Sequence, residues 1–399
     1  MTDLTLAAEF PALTRADWLK RVEAVLKGSA FEEKLVTSTA DGIRLEPLYE
    51  QLPGPRAART QQTPWDIFQR VDHPEAGKAN AQALDDLGNG ASGLVLVCND
   101  SRGARGFGVD PANLGRVVQD VQLHAMALRM EGSASLALAD IIAGHPVDPE
   151  RMNVSFAVSE PGEALDLAAR GFNGPFMEVD GRSWHESGAS EAQELGAVLA
   201  EAVAGMRKLE GLDDARLARA IGITLAADQD MFATLAKFRA MRLLWRRVLE
   251  AAGLAGTALK LHAESSWRMM AERDPHTNIL RATAAVFGAG LGGADSICVL
   301  PFSLRQGLPN AFARRVARNV QTVLIEEADL WRVVDPASGA GYVEHLTHGL
   351  CEAAWAVFQK AEAGDWPKPD PSSPRGLPVI GTSAYRLPTE YPAEVEALR

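Results

Sequence analysis

The chain has 399 residues, 47% hydrophobic and 23% charged, enough to bury a large α/β core with short extensions. Its net charge of -12, from 40 basic against 52 acidic side chains, argues against nucleic acid or an anionic membrane as partner, since either would require a basic face. Cys98, Cys298 and Cys351 show no metal-ligand spacing, and no apolar run approaches the ~20 residues of a membrane span, so reduced structural cysteines and a cytoplasmic protein are expected.

Residues 4–30 open with a helix that Thr14 caps, with Asp17 in its first turn and an apolar stripe of Trp18, Val22, Val25 and Leu26 that needs a surface to pack on. Alternation about Asp41-Gly42 then predicts a hairpin within residues 35–49. Residues 51–63, rich in Pro, Arg and Gln, read as a linker. The expected division is an N-terminal arm and linker over 1–62, a barrel over 63–363 and a Pro-rich tail over 364–399.

The segment from Trp65 to Arg70 reads as the strand that begins the barrel, followed by a helix over 74–87. A regular βα rhythm follows, with strands expected at 93–98, 123–130, 152–158, 175–179, 222–227, 258–265, 296–302 and 331–334. Helices are expected at 186–209, 229–252, 309–327 and 343–363. Strands alternating with helices in this number are the pattern of an α/β (β/α)8 TIM-type barrel with a helix/hairpin arm at its N-terminus. Between the strands ending at Ser265 and starting at Ser296, the helix from Asn278 carries Ile279, Ala282, Val286 and Phe287 at helical spacing. Gly288, Gly290, Gly292 and Gly293 are read as its terminator.

Several motifs resemble the methylmalonyl-CoA mutase family. His262 opens the loop after the sixth strand, and Asp274-Pro275-His276-Thr277-Asn278-Ile279-Leu280-Arg281 opens the next helix. Further matches are Ala236-Lys237-Phe238-Arg239-Ala240 through Trp245, the run from Phe312 to Asn319 with Gln321, and Asp335-Pro336 followed by Gly341-Tyr342-Val343-Glu344. Asp41-Gly42-Ile43 with Pro47-Leu48-Tyr49 resembles the family's N-terminal arm, which embraces a partner subunit.

The resemblance implies a catalytic pattern from which this chain departs. Active mutases carry a cobalamin domain with Asp-x-His-x-x-Gly, whose His ligates cobalt. Here Asp274-x-His276 is followed by Ile279 where Gly is required, and the sequence ends before such a domain. An Arg-Pro-Trp-x-x-Arg-x-Tyr run is represented by Thr63-Pro64-Trp65-Asp66-Ile67-Phe68, without the Arg or the Tyr. Trp184-His185-Glu186-Ser187-Gly188-Ala189 stands where a Tyr-His pair precedes Glu-Ala-Gly-Ala. The substrate-clamping Arg is not found between Phe156 and Gly181.

The run from His185 to Leu195, and Ser266-Trp267-Arg268-Met269-Met270, resemble the small, non-catalytic subunit of the heterodimeric mutase. That resemblance implies no catalytic residue and no cofactor on this chain. It also implies a catalytic large subunit as partner, with adenosylcobalamin bound there. Were the chain active, His185 and His262 would be the catalytic candidates.

His262 and Ser265, at the C-terminal end of a strand, are the candidate CoA contacts, although a His bonded to its own loop is the plainer reading. The alternative function is the acyl-CoA-binding half of a split mutase; a free-standing CoA-binding barrel is a third. Large aliphatics in residues 93–97 and 297–300 suggest a filled barrel rather than a channel.

Other patterns carry less. Gly103-Ala104-Arg105-Gly106-Phe107-Gly108 lacks the Lys-Ser/Thr of a phosphate loop and reads as a flexible loop. His345 and His348 beside Glu344 lack a third ligand, so no metal site is expected. Lys237, Arg239, Arg242, Arg246 and Arg247 form a basic stretch expected to be solvated or paired with acids. No Gly-x-Ser-x-Gly elbow supports hydrolase chemistry.

Overall fold

The computed structural model describes residues 13–57, 59, 62–254, 259–371 and 378–397, in two compact units that divide after Glu50. Residues 4–12 of the expected first helix, and Ala258, lie outside the described residues.

In the N-terminal unit, α1 (Arg15–Leu26) starts at the Thr14 cap. Thr14 Oγ1 accepts from Asp17 N–H, and the Asp17 carboxylate reaches back to Thr14 N–H. Lys27 and Gly28, both at positive φ, end the helix before residue 30. A short α2 (Phe31–Leu35) sets Phe31 edge-on to Trp18, 6.2 Å between centroids. The hairpin of β1 (Thr37–Ser38) and β2 (Arg44–Leu45) pairs antiparallel about Gly42, whose φ of 76° is the conformation the Asp-Gly turn requires. Of the predicted stripe Val25 is 79% exposed, and Trp18, Val22 and Leu26 are half-buried.

The second unit is an eight-stranded parallel barrel. Its strands are β3 (Asp66–Val71), β4 (Gly93–Val97), β5 (Ala127–Glu131), β6 (Asn153–Ser155), β7 (Met177–Asp180), β8 (Ile221–Ala227), β9 (Lys260–Ser265) and β10 (Ser296–Cys298). Every neighbouring pair in the order β6-β5-β4-β3-β10-β9-β8-β7 is parallel. The seam between β6 and β7 is drawn together just past the end of β6, where Phe156 N–H donates to Pro175 O (2.9 Å) and Val158 N–H to Phe176 O (3.0 Å).

The expected strand at 331–334 is not formed. Those residues are turns and bends, and the place in the barrel is held by β3, the strand expected to begin it, which is buried throughout after Asp66. At 123–125 a 3-10 turn precedes β5.

Helices α3 (Ala76–Gly88), α4 (Leu114–Val117), α5 (Ser135–Ala143), α6 (Pro161–Ala169), α7 (Arg182–Glu186), α8 (Glu191–Lys208), α9 (Asp214–Leu217), α10 (Met231–Ala251), α11 (Thr277–Gly292), α12 (Ala311–Thr322) and α13 (Gly341–Glu362) ring the barrel. The helix predicted over 186–209 is broken at Gly188 (φ 101°), so Ser190 caps α8 with Gln193 as a capping box. Of the glycines expected to end α11, only Gly293 does so, at φ 97°. Gly290 and Gly292 lie inside the helix because a Cβ there would stand 2.8 Å from the Trp65 ring and 2.7 Å from Leu235 O. They are contact glycines that let the helix approach its neighbours.

The basic stretch on α10 is largely buried. Arg239 is 0% exposed and spans three segments: two bonds to Asp335 (2.9 and 3.0 Å), two to Glu344 (3.0 and 3.2 Å) and one to Thr347 (3.1 Å). Asp335 also accepts Ala57 N–H, and Glu344 accepts Gly339 N–H. This explains the Asp335 and Glu344 motifs in terms of packing.

The described parts of the tail touch the C-terminal side of the barrel at several places. Trp366 stacks on Trp184 at 6.0 Å, Ile380 O accepts from Arg281, and Glu396 meets Lys78 at 3.0 Å and His73 at 3.3 Å.

Arg239→Met leaves two buried carboxylates without their cation and is expected to cost about 3–5 kcal/mol. Urea unfolding of the variant against the parent protein measures this, and a loss below about 1 kcal/mol would contradict a clamp role.

Candidate functional site

Strands buried on both faces send alternate residues into the barrel lumen, and here many of those residues are charged. From β3 come Phe68, Arg70 and, just beyond it, Asp72; from β5 Arg129 and Glu131; from β7 Glu178 and Asp180; from β8 Thr224; from β9 His262 and Glu264. Arg182, in the first turn of α7, closes over them.

Each arginine joins several strands. Arg70 pairs with Asp72 (2.9 Å) and Glu264 (3.2 Å) and donates to Gly103 O (2.7 Å). Arg129 meets Glu178 at 2.7 Å and Glu131 at 3.6 Å, and donates to Thr224 Oγ1. Arg182 binds Asp180 (2.8 Å), Glu131 (2.9 Å) and Glu264 (2.8 Å). Except for Asp180 these charged side chains are buried. Gly222 makes room for the lattice, since a Cβ there would lie 2.4 Å from the Glu178 carboxylate.

The electrostatics follow from this crowding. Burial pushes Glu131 up, but Arg182, Arg129 and Arg70 outweigh it and hold its carboxyl below the usual range. For Glu178 burial prevails over Arg129 and the carboxyl is raised. His262 is held well below its ordinary value by burial and by the nearby Arg129 and Arg182, so it sits as a neutral imidazole. Its Nδ1 meets Ser296 Oγ at 2.7 Å, Phe68 packs edge-on at 5.4 Å, and the buried Nε2 has no hydrogen-bond partner.

The lumen is therefore filled, as the aliphatic strands suggested, though those strands supply only part of the filling. Phe68, Val95, Val97, Ala127 and Cys298 form its apolar part and the arginine–carboxylate lattice the rest. A cavity of about 790 Å³ opens at the N-terminal ends of the strands, lined by Trp65, Asp66, Ser92, Lys260 and Asp295 and floored by Phe68. Another, of about 620 Å³, lies at the C-terminal mouth beside Arg102, Arg105 and Trp267. Neither is lined by Arg70, Arg129 or Arg182, which stand in the lumen between the two ends.

The candidates read from sequence are not brought together. His262 belongs to the lumen. Ser265 points to the other face of β9, where its Oγ accepts Leu300 N–H at 2.8 Å. His185 lies on α7, with Nε2 2.8 Å from Ser266 Oγ, Nδ1 3.6 Å from Glu194 and Nε2 3.6 Å from Asp228. A hydroxyl on one imidazole nitrogen and a carboxylate on the other is the layout of a hydrolytic triad. Its members are buried, and Glu194 is already committed to Lys237 (2.7 Å) and Ala226 N–H.

Among the described residues no group of three or more His, Cys, Asp or Glu could hold a metal ion, and no helix is long and apolar enough to cross a membrane. The lattice arginines and glutamates were missed from sequence. Their signal was charge at every second position of a strand: Arg70-x-Asp72, Arg129-x-Glu131, Glu178-x-Asp180, His262-x-Glu264.

Because the folded pKa of His262 lies below its unfolded value, the unfolded chain binds the extra proton first. Stability contributed by the neutral ring is complete above about pH 6.5 and is lost as pH falls below it. His262→Gln should flatten the slope of unfolding free energy between about pH 6.5 and 5; an unchanged slope places the titration elsewhere.

The family profile described as methylmalonyl-CoA mutase matches residues 173–364. The chain is similar to the methylmalonyl-CoA mutase small subunit of Streptomyces virginiae, 35% identical over 98% of this chain and 74% of that one. It is 35% identical to the probable small subunit of Mycobacterium tuberculosis, over 86% of this chain and 62% of the relative. With the small subunit of Propionibacterium freudenreichii subsp. shermanii it shares 30% identity, over 90% and 64%. It spans between about three fifths and three quarters of the length of these relatives. The chain belongs to the methylmalonyl-CoA mutase family.

Proposed function

We propose that this chain is a non-catalytic small subunit supporting a cobalamin-dependent methylmalonyl-CoA mutase. The interconversion of methylmalonyl-CoA and succinyl-CoA takes place on a large-subunit partner. The observation that carries this reading is the filled lumen. Family members that thread the pantetheine of CoA along the barrel axis need small side chains there, whereas Arg70, Arg129 and Arg182 occupy this one with their carboxylates.

The substrate end is equally altered. Trp65, in the segment that replaces the Arg- and Tyr-bearing run, is buried with its indole N–H on Gln321 (3.1 Å), and Phe68 covers His262. The residues present do not fit cobalamin either. His276 precedes the first residue of α11 with its ring against Phe302 at 5.1 Å, and the Asp274 carboxylate is taken by Thr277. Adenosylcobalamin is accordingly assigned to the partner, and no step of the reaction runs through this chain.

Its contribution is mass action: association that buries surface on the partner favours the folded, assembled complex. The stripe of Trp18, Val22, Val25 and Leu26 on the arm is apolar surface of the kind such a contact covers.

Mutase turnover with methylmalonyl-CoA and adenosylcobalamin tests the reading on three samples: this chain, a large subunit, and the co-purified pair. Activity confined to samples holding the large subunit, with co-elution of the two chains, is expected. Turnover by this chain with only a separate cobalamin-binding domain added would overturn the silent role and favour a split mutase.

A further inference from the structure

The loop Gly103-Ala104-Arg105-Gly106-Phe107-Gly108, expected to be flexible, is fixed to the lumen lattice. Gly103 O accepts from Arg70, and a Cβ on Gly103 would stand 2.5 Å from the Glu131 carboxylate. Arg105 holds a left-handed φ of 57°, a conformation a non-glycine residue keeps only where its surroundings hold it.

From that position its side chain, 9% exposed, reaches Glu186 and lies 5.0 Å over the Trp267 ring. Its Nε is buried and has no hydrogen-bond partner. Arg305, from the loop after β10, sets its guanidinium 4.5 Å from the same ring. Arg102 stands exposed on the next turn of the loop, and Asn99 and Ser101 add an amide and a hydroxyl to the cavity. A chain of net charge -12 thus sets Arg102 and Arg105 in the lining of one cavity at the barrel mouth and Arg305 on its Trp267 wall, with Glu186 and, at 3.8 Å, Glu264 the carboxylates that face Arg105.

The geometry points to a binding site for a small multivalent oxyanion, a phosphate ester or a polycarboxylate. Guanidinium groups offer paired N–H donors that match the oxygens of carboxylate and phosphate, and the Trp267 face orients two of them without using those donors. At about 620 Å³ the cavity is of small-molecule size and larger than an inorganic ion needs. The site lies above the lattice and does not depend on whether this chain is catalytically silent.

The test is isothermal titration calorimetry on the full chain at low ionic strength, with pyrophosphate in one arm and citrate in the other. The comparison is the R102A/R305A double variant, which changes two exposed side chains. Saturable binding of either anion is expected, weakened by about tenfold or more in the variant while its thermal melt is unchanged. Whichever anion binds more tightly identifies phosphate or carboxylate as the natural group. The proposal is overturned if neither anion binds saturably at millimolar concentration, or if the double variant binds as well as the parent.

Discussion

The structure depends on how an eight-stranded barrel fills its own axis. Three guanidinium groups do so, each fixed to more than one strand: Arg129 ties β5 to β7 and β8, Arg70 ties β3 to β9, and Arg182 bridges the ends of β5, β7 and β9. Removing such groups from water costs several kcal/mol per ion, and the attraction between them offsets this only where the pairing is complete. The lattice is therefore a unit. Its members are tied to one another through shared carboxylates, so deleting one strands the others.

That unit settles what else the barrel can do. A ligand lying along the axis would have to break buried ion pairs, which is far more costly than displacing a few loose waters. Space remains at the two ends, about 790 Å³ below and about 620 Å³ above. The family's fold is retained, while the axis that it encloses is filled.

The βα rhythm, the Thr14 cap and the Asp-Gly hairpin were legible because each is a local rule expressed within a few residues. The segment 331–334 misled because Trp, Val and Val have strand propensity wherever they occur, and only the competition for a place beside β10, which β3 takes, decides the outcome. The lattice was illegible for a related reason. Arg70 or Glu264 alone reads as a charged residue in a strand, and its meaning lies in partners far away in sequence. Charge recurring at every second position of strands that must be buried on both faces was the available clue, since such residues have nowhere to go but the lumen.

His185 shows how a residue and a chemistry can part. The resemblance to catalytic relatives made it a candidate, and its position between Ser266 and Glu194 has the layout of a nucleophile and its base. A nucleophile needs an approach path, however, and its base an orienting carboxylate that is not engaged elsewhere. Ser266 Oγ is buried and already accepts Met269 N–H at 3.2 Å, while Glu194 is held by Lys237 and the backbone of β8. What the arrangement does perform is attachment: it fastens α7, which carries Arg182, to the end of β9, which carries Glu264. The imidazole thereby helps hold the third arginine over the lumen.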